Sequence, residues 1–220
     1  METLSITAFA PPAQLGPLDI SIQQRISTEI DNLIEQLPGV ESLTSEERRG
    51  IIARYSAVLE GNFIYWMTAT LIAVRSAESR DIITANLFEE VRDSHPLMMR
   101  RFALAAHAFP TDGDALAVDA DLTKVRLFMG KLESVPSLVA MAFFEGFIQR
   151  FMEYLAGLAA AQGSTEMVYT DVHGVCDIEH TQGLLRAISV ESTSNPASEK
   201  VDLFEGVELL HGLIQTIVQG

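Results

Sequence analysis

The sequence contains a single cysteine and few basic residues. Cys176 has no partner within the chain, so an intrachain disulfide is excluded and we expect a reducing compartment such as the cytoplasm. Lys and Arg number 15 against 30 Asp and Glu, which gives a formal net charge of −15. This charge is opposite to that of the basic surfaces that bind nucleic acids and anionic membranes. We therefore expect no nucleic acid and no membrane partner, and we leave homodimer formation open.

Long hydrophobic runs and strand-like alternation are also missing. The longest apolar run lies in NFIYWMTATLIAV and covers about 13 residues, whereas a helix that spans a bilayer needs about 20. The opening METLSITAFAPPAQLGPLDI has no basic stretch followed by an apolar one, so no signal peptide is expected. Because no segment alternates over the length of a strand, the sequence predicts an all-α protein. We expect one domain over residues 19–220, after an irregular arm over residues 1–18.

Helical patterns account for most of the chain. Isoleucines spaced by four predict a helix that begins at Asp19 and ends before the PG pair. The sequence TSEE, with Thr44 as its first residue, has the form of a capping box, and a long helix should follow to about Val74. Further helices are predicted over residues 80–91, 96 to about 109, 121–132, 136–161, 173–190 and 201–217, with a loop at ESTSNPAS. The result is a helical bundle of about seven or eight helices.

The stretch HGVCDIEH concentrates groups that bind metals. His173, Asp177 and His180 stand at i, i+4 and i+7, and on a helix these positions fall within about 60° of arc. Two imidazoles and a carboxylate on one face suit a divalent metal such as Fe(II) or Mn(II). Cys176 and Glu179 lie off that face. We expect Cys176 to be a small core residue and Glu179 to be a solvated acid. A polar helix turn that faces solvent stays an alternative for the whole stretch.

Other predicted helices also place acids or histidines among apolar residues. Glu145 lies in AMAFFEGFIQRF, where a carboxylate is costly unless it is paired or bound to metal. Glu60 lies in YSAVLEGNFIYW, and Glu89 and Glu90 end NLFEE, shortly before His95. Each has an ordinary explanation, since Glu60 could pair with an arginine, Glu89 could be exposed and His95 could cap a helix. Together they resemble the carboxylate and histidine sets in the cores of di-iron bundles.

The order of these motifs resembles the haem-oxygenase-like di-iron oxidases and oxygenases. The resemblance covers Glu60 to His180 and implies a haem-oxygenase-like bundle, two Fe(II) ions and O2 as co-substrate. In that family, O2 drives hydrogen abstraction, oxidative C–C cleavage or N-oxygenation of amino acids, fatty acids or aromatic metabolites, often in specialised biosynthesis. The implied metal ligands are Glu60, Glu90, His95, Glu145, His173, Asp177 and His180.

The resemblance leaves some assignments open. Many members carry a glycine-rich insert between the acid and its histidine, whereas only VRDS separates Glu90 from His95 here, so the choice between Glu89 and Glu90 stays open with Glu90 preferred. We expect one iron site formed by Glu90, His95, Glu145 and His180. The second would contain His173, Asp177 and the shared Glu145, completed by Glu60.

Substrate contacts and two other functions also stay open. Aromatic residues near the ligands, Tyr169 among them, could line an apolar pocket, although aromatic residues at helical spacing more often belong to the core. A substrate carboxylate would need one of five arginines, namely Arg54, Arg92, Arg100, Arg101 and Arg150. One alternative function is a metal-free enzyme of the same fold, thiaminase-like or involved in cofactor maturation, with Cys176 as nucleophile or with a shaped pocket. The other is a non-enzymatic helical interaction protein.

Overall fold

The computed structural model describes residues 17–195 and 201–220. Within these ranges the chain forms nine α-helices and one short 3-10 turn (Val40–Ser42), with no strand, which confirms the all-α prediction. The predicted arm lies outside the described residues except for Pro17 and Leu18, which begin the first helix. The helices are α1 (Pro17–Glu35), α2 (Ser45–Leu59), α3 (Asn62–Ala73), α4 (Ala77–Arg92), α5 (His95–Ala105), α6 (Asp112–Met129), α7 (Ser134–Ala161), α8 (Val168–Ser194) and α9 (Glu205–Gln219).

Helix α7 forms the centre of the bundle. It packs most extensively against α8 and also contacts α1, α2, α3 and α9. Its side chains from Val135 to Ile148 are all buried, because this stretch is apolar around its whole circumference. Glu145 lies within that stretch, so the fold places one carboxylate at the middle of the core. None of the described helices is both long enough and apolar enough to cross a bilayer.

The prediction of one long helix over residues 45–74 is wrong, because the structure has two helices there. The capping box is confirmed, since Thr44 accepts from the backbone N–H of Glu47 and the Glu47 carboxylate accepts from that of Thr44. Helix α2 then ends at Leu59, and Gly61 adopts a left-handed conformation with φ of 79° before α3 begins. Asn62 stabilises the break by donating from Nδ2 to the Val58 carbonyl at 2.7 Å.

Several other helix boundaries differ from the prediction. Helix α6 begins at Asp112 instead of residue 121, because Thr111 and Asp114 form a second capping box that the sequence analysis missed. Helix α8 begins at Val168, so HGVCDIEH lies inside a helix and does not start one. The same helix continues to Ser194, and the first half of the predicted loop is therefore helical. Helix α9 begins at Glu205, later than predicted.

The break between α2 and α3 can be tested with one substitution. Gly61→Ala is expected to destabilise the protein by about 1 kcal/mol, because a residue with a Cβ is strained at a positive φ. An added Cβ at this position meets no atom within 4 Å, so backbone strain is the only cost. Urea unfolding monitored by circular dichroism measures the effect.

Gly212 provides the matched control. It lies within α9, and a Cβ added there also meets no atom within 4 Å. Gly212→Ala is therefore expected to stabilise the protein by about 0.5–1 kcal/mol through helix propensity. Equal stability of Gly61→Ala and the wild type would show that the chain does not need the left-handed turn.

Candidate metal centre

Six of the seven predicted ligands meet in the core between α4, α5, α7 and α8. Each is at most 4% exposed to solvent, which excludes the alternative of a solvent-facing polar turn. The six are Glu90 of α4, His95 of α5, Glu145 of α7 and His173, Asp177 and His180 of α8. The seventh, Glu60, lies apart from them.

The three residues of α8 share one helix face, as their spacing predicted. His173, Asp177 and His180 are buried where α8 packs along α7, whereas Glu179 is exposed. The helical rise places them on successive turns of the same side. Two imidazoles and a carboxylate therefore project into the core beside Glu145.

A tight corner between α4 and α5 brings Glu90 and His95 together. Ser94 adopts a left-handed conformation with φ of 59°, and Pro96 occupies the first turn of α5, where its fixed φ suits a helix. As a result His95 Nδ1 lies 2.7 Å from Glu90 Oε1, both side chains being buried. Four residues are thus enough to connect the acid to its histidine, without the glycine-rich insert of the resembled family.

Glu89 and Glu90 both point toward the centre but differ in burial. Glu90 is 3% exposed and contacts His95, whereas the Glu89 side chain is 39% exposed. Glu89 Oε2 nevertheless lies 3.4 Å from His180 Nε2. The burial favours Glu90 as the ligand, in line with the preference from the sequence, and places Glu89 at the rim of the centre.

The buried residues fall into two groups with Glu145 between them. Potential ligand atoms of Glu90, His95 and His173 all lie within 4.8 Å of one another. The second group contains Asp177, His180 and the partly buried Cys176. Its His180 Nδ1 lies 3.7 Å from Asp177 Oδ1 and 3.7 Å from Glu145 Oε2. This grouping differs from the expected division between the two iron sites, since His173 lies with Glu90 and His95, and His180 lies with Asp177.

Several polar atoms of this cluster lack a hydrogen-bond partner. Both carboxylate oxygens of Glu145, Oδ2 of Asp177 and Nδ1 of His180 are fully buried and make no hydrogen bond, and His180 Nδ1 is only within ion-pair distance of the two carboxylates. Leaving such groups unsatisfied costs about 1–3 kcal/mol each, and native cores contain few of them. Coordination to divalent cations would satisfy all four atoms, so the residues present fit the metal pair that the resemblance implies.

The electrostatics of the cluster also favour a bound cation. Burial raises the pKa of Glu145, and burial with the nearby charge of Glu145 raises that of Asp177. Burial lowers the pKa of His173 to about 4. For His180, burial alone would lower the pKa, but the Glu145 and Asp177 carboxylates outweigh it and raise the pKa to about 9. A divalent cation would instead favour ionised carboxylates and neutral imidazoles.

Two tyrosines that the sequence analysis did not assign to the site orient His173. Its Nδ1 donates to the carbonyl oxygen of Tyr169 at 2.8 Å, which leaves Nε2 free as a ligand atom. The Tyr169 ring packs on the imidazole with centroids 4.2 Å apart, and its hydroxyl lies 3.0 Å from that of Tyr55. The signal in the sequence was a tyrosine one helical turn before the histidine, whereas Tyr55 of α2 carried none.

Glu60 does not join the buried cluster in this structure. Its side chain is 42% exposed and forms an ion pair with Arg100, as the ordinary explanation of this acid anticipated. Glu60 does line the cavity that reaches the cluster, together with Glu90, His95, Glu145, His173 and Asp177. Its role as a ligand therefore stays a prediction that requires the side chain to turn inward.

The fold and these groups are those of a helical bundle with a candidate metal centre in its core. The chain belongs to a haem-oxygenase-like family of iron-containing redox enzymes, whose model matches residues 52–210, more than two thirds of the chain. The matched range includes all seven predicted ligands, from Glu60 to His180, and confirms the family that the motifs suggested. No curated protein matches the chain significantly. By family, the protein is an iron-dependent oxidoreductase.

Cys176 is poorly suited to be a nucleophile. Burial and the adjacent Asp177 carboxylate raise the pKa of the thiol, and its Sγ donates to Asp177 Oδ1 at 3.2 Å. A reactive cysteine needs the opposite environment, one that favours the thiolate. The cysteine-based alternative therefore has no support in the geometry.

Cys176→Ala is expected to keep the wild-type iron content and to hold activity within about threefold, since the thiol is not needed as a ligand. Iron analysis and O2 uptake measure both quantities. Glu179→Gln, at an exposed position of the same helix, is the control and should behave in the same way. Loss of activity in Cys176→Ala with full iron content would support the thiol mechanism instead.

Proposed function

We propose that the protein is a non-haem di-iron oxidase or oxygenase that uses O2 to oxidise a small metabolite. The observation that carries this proposal is the buried set of carboxylate and imidazole atoms without hydrogen-bond partners around Glu145. The cluster contains three carboxylates and three imidazoles, each at most 4% exposed. These are enough ligands for two divalent cations such as Fe(II). A lone ion would leave part of this set unsatisfied.

Each group of residues would hold one metal. Glu90, His95 and His173 would hold the first, and Asp177 and His180 the second. Glu145 would serve both, because its Oε2 lies 3.7 Å from His180 Nδ1 and it lines the same cavity as the residues of the first group. Two Fe(II) ions would supply the electrons for O2 reduction, a chemistry that no side chain of the cluster provides.

The chain itself positions the ligands and controls access of water. Tyr169 fixes the ring of His173, and the low pKa of His173, about 4, keeps that imidazole neutral at neutral pH. Apolar side chains, among them Leu59, Phe63 and Met99, line the cavity that leads to the cluster. These walls would exclude water from reactive species at the cluster.

The proposed reaction is hydrogen abstraction, oxidative C–C cleavage or N-oxygenation. We propose that it belongs to specialised biosynthesis. A purely structural role would leave the carboxylate of Glu145 without a function, although it lies in a stretch of α7 whose side chains are all buried and makes no hydrogen bond. Catalysis at a metal pair accounts for that carboxylate.

Anaerobic loading with Fe(II) tests the proposal. The full-length protein is expected to bind about two equivalents of iron and to consume O2 once a substrate is present. Iron is counted by a colorimetric chelator assay after gel filtration, and O2 uptake is followed with an electrode. A protein that binds no more than one equivalent under saturating Fe(II), or none at all, would contradict the di-iron assignment.

A further inference from the structure

The carboxylate of Glu89 contacts the buried cluster from its solvent side. Its side chain is 39% exposed, yet its Oε2 lies 3.4 Å from Nε2 of the buried His180. The next residue of α4, Glu90, is buried and contacts His95 instead. Helix α4 therefore brings two adjacent acids to the centre, one inside the cluster and one at its edge, and the two acids meet different histidines.

The two ring nitrogens of His180 have different surroundings. Nδ1 is fully buried, makes no hydrogen bond, and lies 3.7 Å from both Asp177 Oδ1 and Glu145 Oε2. Nε2 points to the partly exposed Glu89. A neutral imidazole carries its proton on one nitrogen and has a free lone pair on the other. A cation between Nδ1 and the two buried carboxylates would therefore leave the proton on Nε2, where Glu89 can accept a hydrogen bond from it.

We propose that Glu89 is a positioning residue of the metal centre, which accepts a hydrogen bond from His180 Nε2 and thereby directs His180 Nδ1 to the second metal. This inference rests on the metal pair of the proposed function. Histidines that bind metals almost always donate their other N–H to a carboxylate, a backbone carbonyl or water, which fixes the ring and strengthens it as a ligand. Glu89 itself would touch neither metal.

His173 is held in a comparable way, but through the opposite nitrogen. Its Nδ1 donates to the backbone carbonyl of Tyr169 at 2.8 Å, which leaves Nε2 as the ligand atom. Both histidines of α8 thus have one nitrogen held by an oxygen outside the cluster. A charged carboxylate is a stronger hydrogen-bond acceptor than a neutral carbonyl. Loss of Glu89 should therefore weaken the second metal position and leave the first unchanged.

Direct binding of a metal by Glu89 agrees less well with the geometry. A metal held by Glu89 and by Nε2 of His180 would lie on the other side of the imidazole from Nδ1. His180 Nδ1 would then remain buried without a partner, and this metal would not satisfy Asp177 Oδ2 either. Such buried groups are costly to leave unsatisfied, whereas the exposed carboxylate of Glu89 can be hydrated. The geometry therefore favours a hydrogen bond from His180 to Glu89.

Nuclear magnetic resonance can identify the nitrogen that binds the metal. The full-length protein, labelled with 15N at its five histidines, is loaded with Zn(II), a diamagnetic ion that accepts imidazole and carboxylate ligands. Long-range 1H–15N correlations show which ring nitrogen carries the proton, and loss of signals in His180→Gln assigns this residue. We expect the proton on Nε2 of His180 and, as an internal comparison, on Nδ1 of His173. Zinc on Nε2 of His180 would overturn the proposal.

Iron affinity of Glu89 variants provides the second measurement, by anaerobic competition with a chelator. Glu89→Ala removes the acceptor and should weaken one of the two irons by about 10- to 100-fold, with the other unchanged. Glu89→Gln has the same shape and keeps an acceptor oxygen without the charge, so its loss should be smaller, at most about tenfold. A neutral isostere of a partly exposed residue also leaves the fold intact.

Asp81→Asn is the matched control, because it removes the same charge from an exposed position of α4. Both iron affinities should stay within about twofold of the wild type. Equal losses in Glu89→Gln, Glu89→Ala and Asp81→Asn would show an effect of net charge alone and would overturn the positioning role. Equal weakening of both irons in Glu89→Ala would overturn the assignment to His180 and the second metal.

Metal stoichiometry distinguishes this inference from the proposed function. Two bound equivalents, with unweakened iron binding in Glu89→Ala or with zinc on Nε2 of His180, would overturn the role of Glu89 and leave the di-iron function in place. A wild-type protein that binds no metal would contradict the di-iron function and, with it, the role of Glu89. Two equivalents with the expected nitrogen and the order wild type, Glu89→Gln, Glu89→Ala would support both.

Discussion

Glu145→Leu is expected to abolish iron binding at both positions and, at the same time, to raise the melting temperature of the metal-free protein. Glu145 is 1% exposed, and neither of its carboxylate oxygens has a hydrogen-bond partner. Replacement by an apolar residue of similar size should therefore remove a penalty of about 1–3 kcal/mol from the metal-free fold. For a chain of this length that corresponds to an increase of several degrees, at about 2–4 °C per kcal/mol.

The measurements are iron content after anaerobic loading and thermal unfolding after chelation. Iron content should fall from about two equivalents to a small fraction of one, because both groups lose the ligand they share. Unchanged iron content in Glu145→Leu would remove Glu145 from the metal centre. A lower melting temperature would show that this carboxylate has a stabilising partner in the metal-free protein.

Glu191 provides a control for which the expected change in stability has the opposite sign. It is also fully buried, but its Oε1 accepts hydrogen bonds from the backbone N–H groups of Arg75 and Ser76 at 3.0 and 2.7 Å. Glu191→Leu should therefore lower stability by about 1–3 kcal/mol, because two backbone donors lose their partner. Its iron content should stay at the wild-type value, since Glu191 lies outside the cluster.

The difference between these two glutamates also shows what the sequence could reveal. Glu145 was recognisable because it interrupts a long apolar helix, and a buried acid in such a place requires a partner or a metal. Glu191 lies in ESTSNPAS, which has the composition of a loop, and nothing in the sequence indicated that α8 would continue through it or bury the acid. Its partners are 115 and 116 residues away in the chain, beyond the range of local patterns.

The break at Gly61 was missed for a similar reason. A glycine within an apolar pattern is compatible with a continuous helix, at a cost of about 1 kcal/mol relative to alanine. Its left-handed conformation is fixed by tertiary contacts, notably the hydrogen bond from Arg126 Nε to Asn62 Oδ1 at 2.7 Å. Glu60 directly precedes this break, and its exposed side chain pairs with Arg100 and does not reach the buried cluster.

Spacing in α8 predicted a shared face but could not predict which residues that face would meet. His173 and His180 lie on the same helix face but two turns apart, which is about 10 Å along the helix axis. Which of them contacts Glu90 and His95 depends on how α8 crosses α7 and on the corner at Ser94, and neither is encoded in the local pattern. The two histidines consequently lie in the opposite groups from those expected, although all three predicted residues of α8 are buried beside Glu145.

Double substitutions of the histidines test the pairing that the structure favours. His95 and His173 lie in one group, so His95→Ala combined with His173→Ala is expected to remove one iron and to leave about one equivalent at Asp177 and His180. His95→Ala combined with His180→Ala damages both groups and should leave almost none. His211→Ala, a substitution outside the cluster, should keep two equivalents.

The two double variants remove the same number of imidazoles, so their difference depends only on which histidines share a metal. If His180 belonged with Glu90 and His95, the results would be reversed, and the pair containing His173 would lose both irons. O2 consumption should be absent in both double variants, because the reaction requires both metals. Iron content after anaerobic loading is therefore the decisive measurement, and equal iron content in the two variants would contradict a division into two groups.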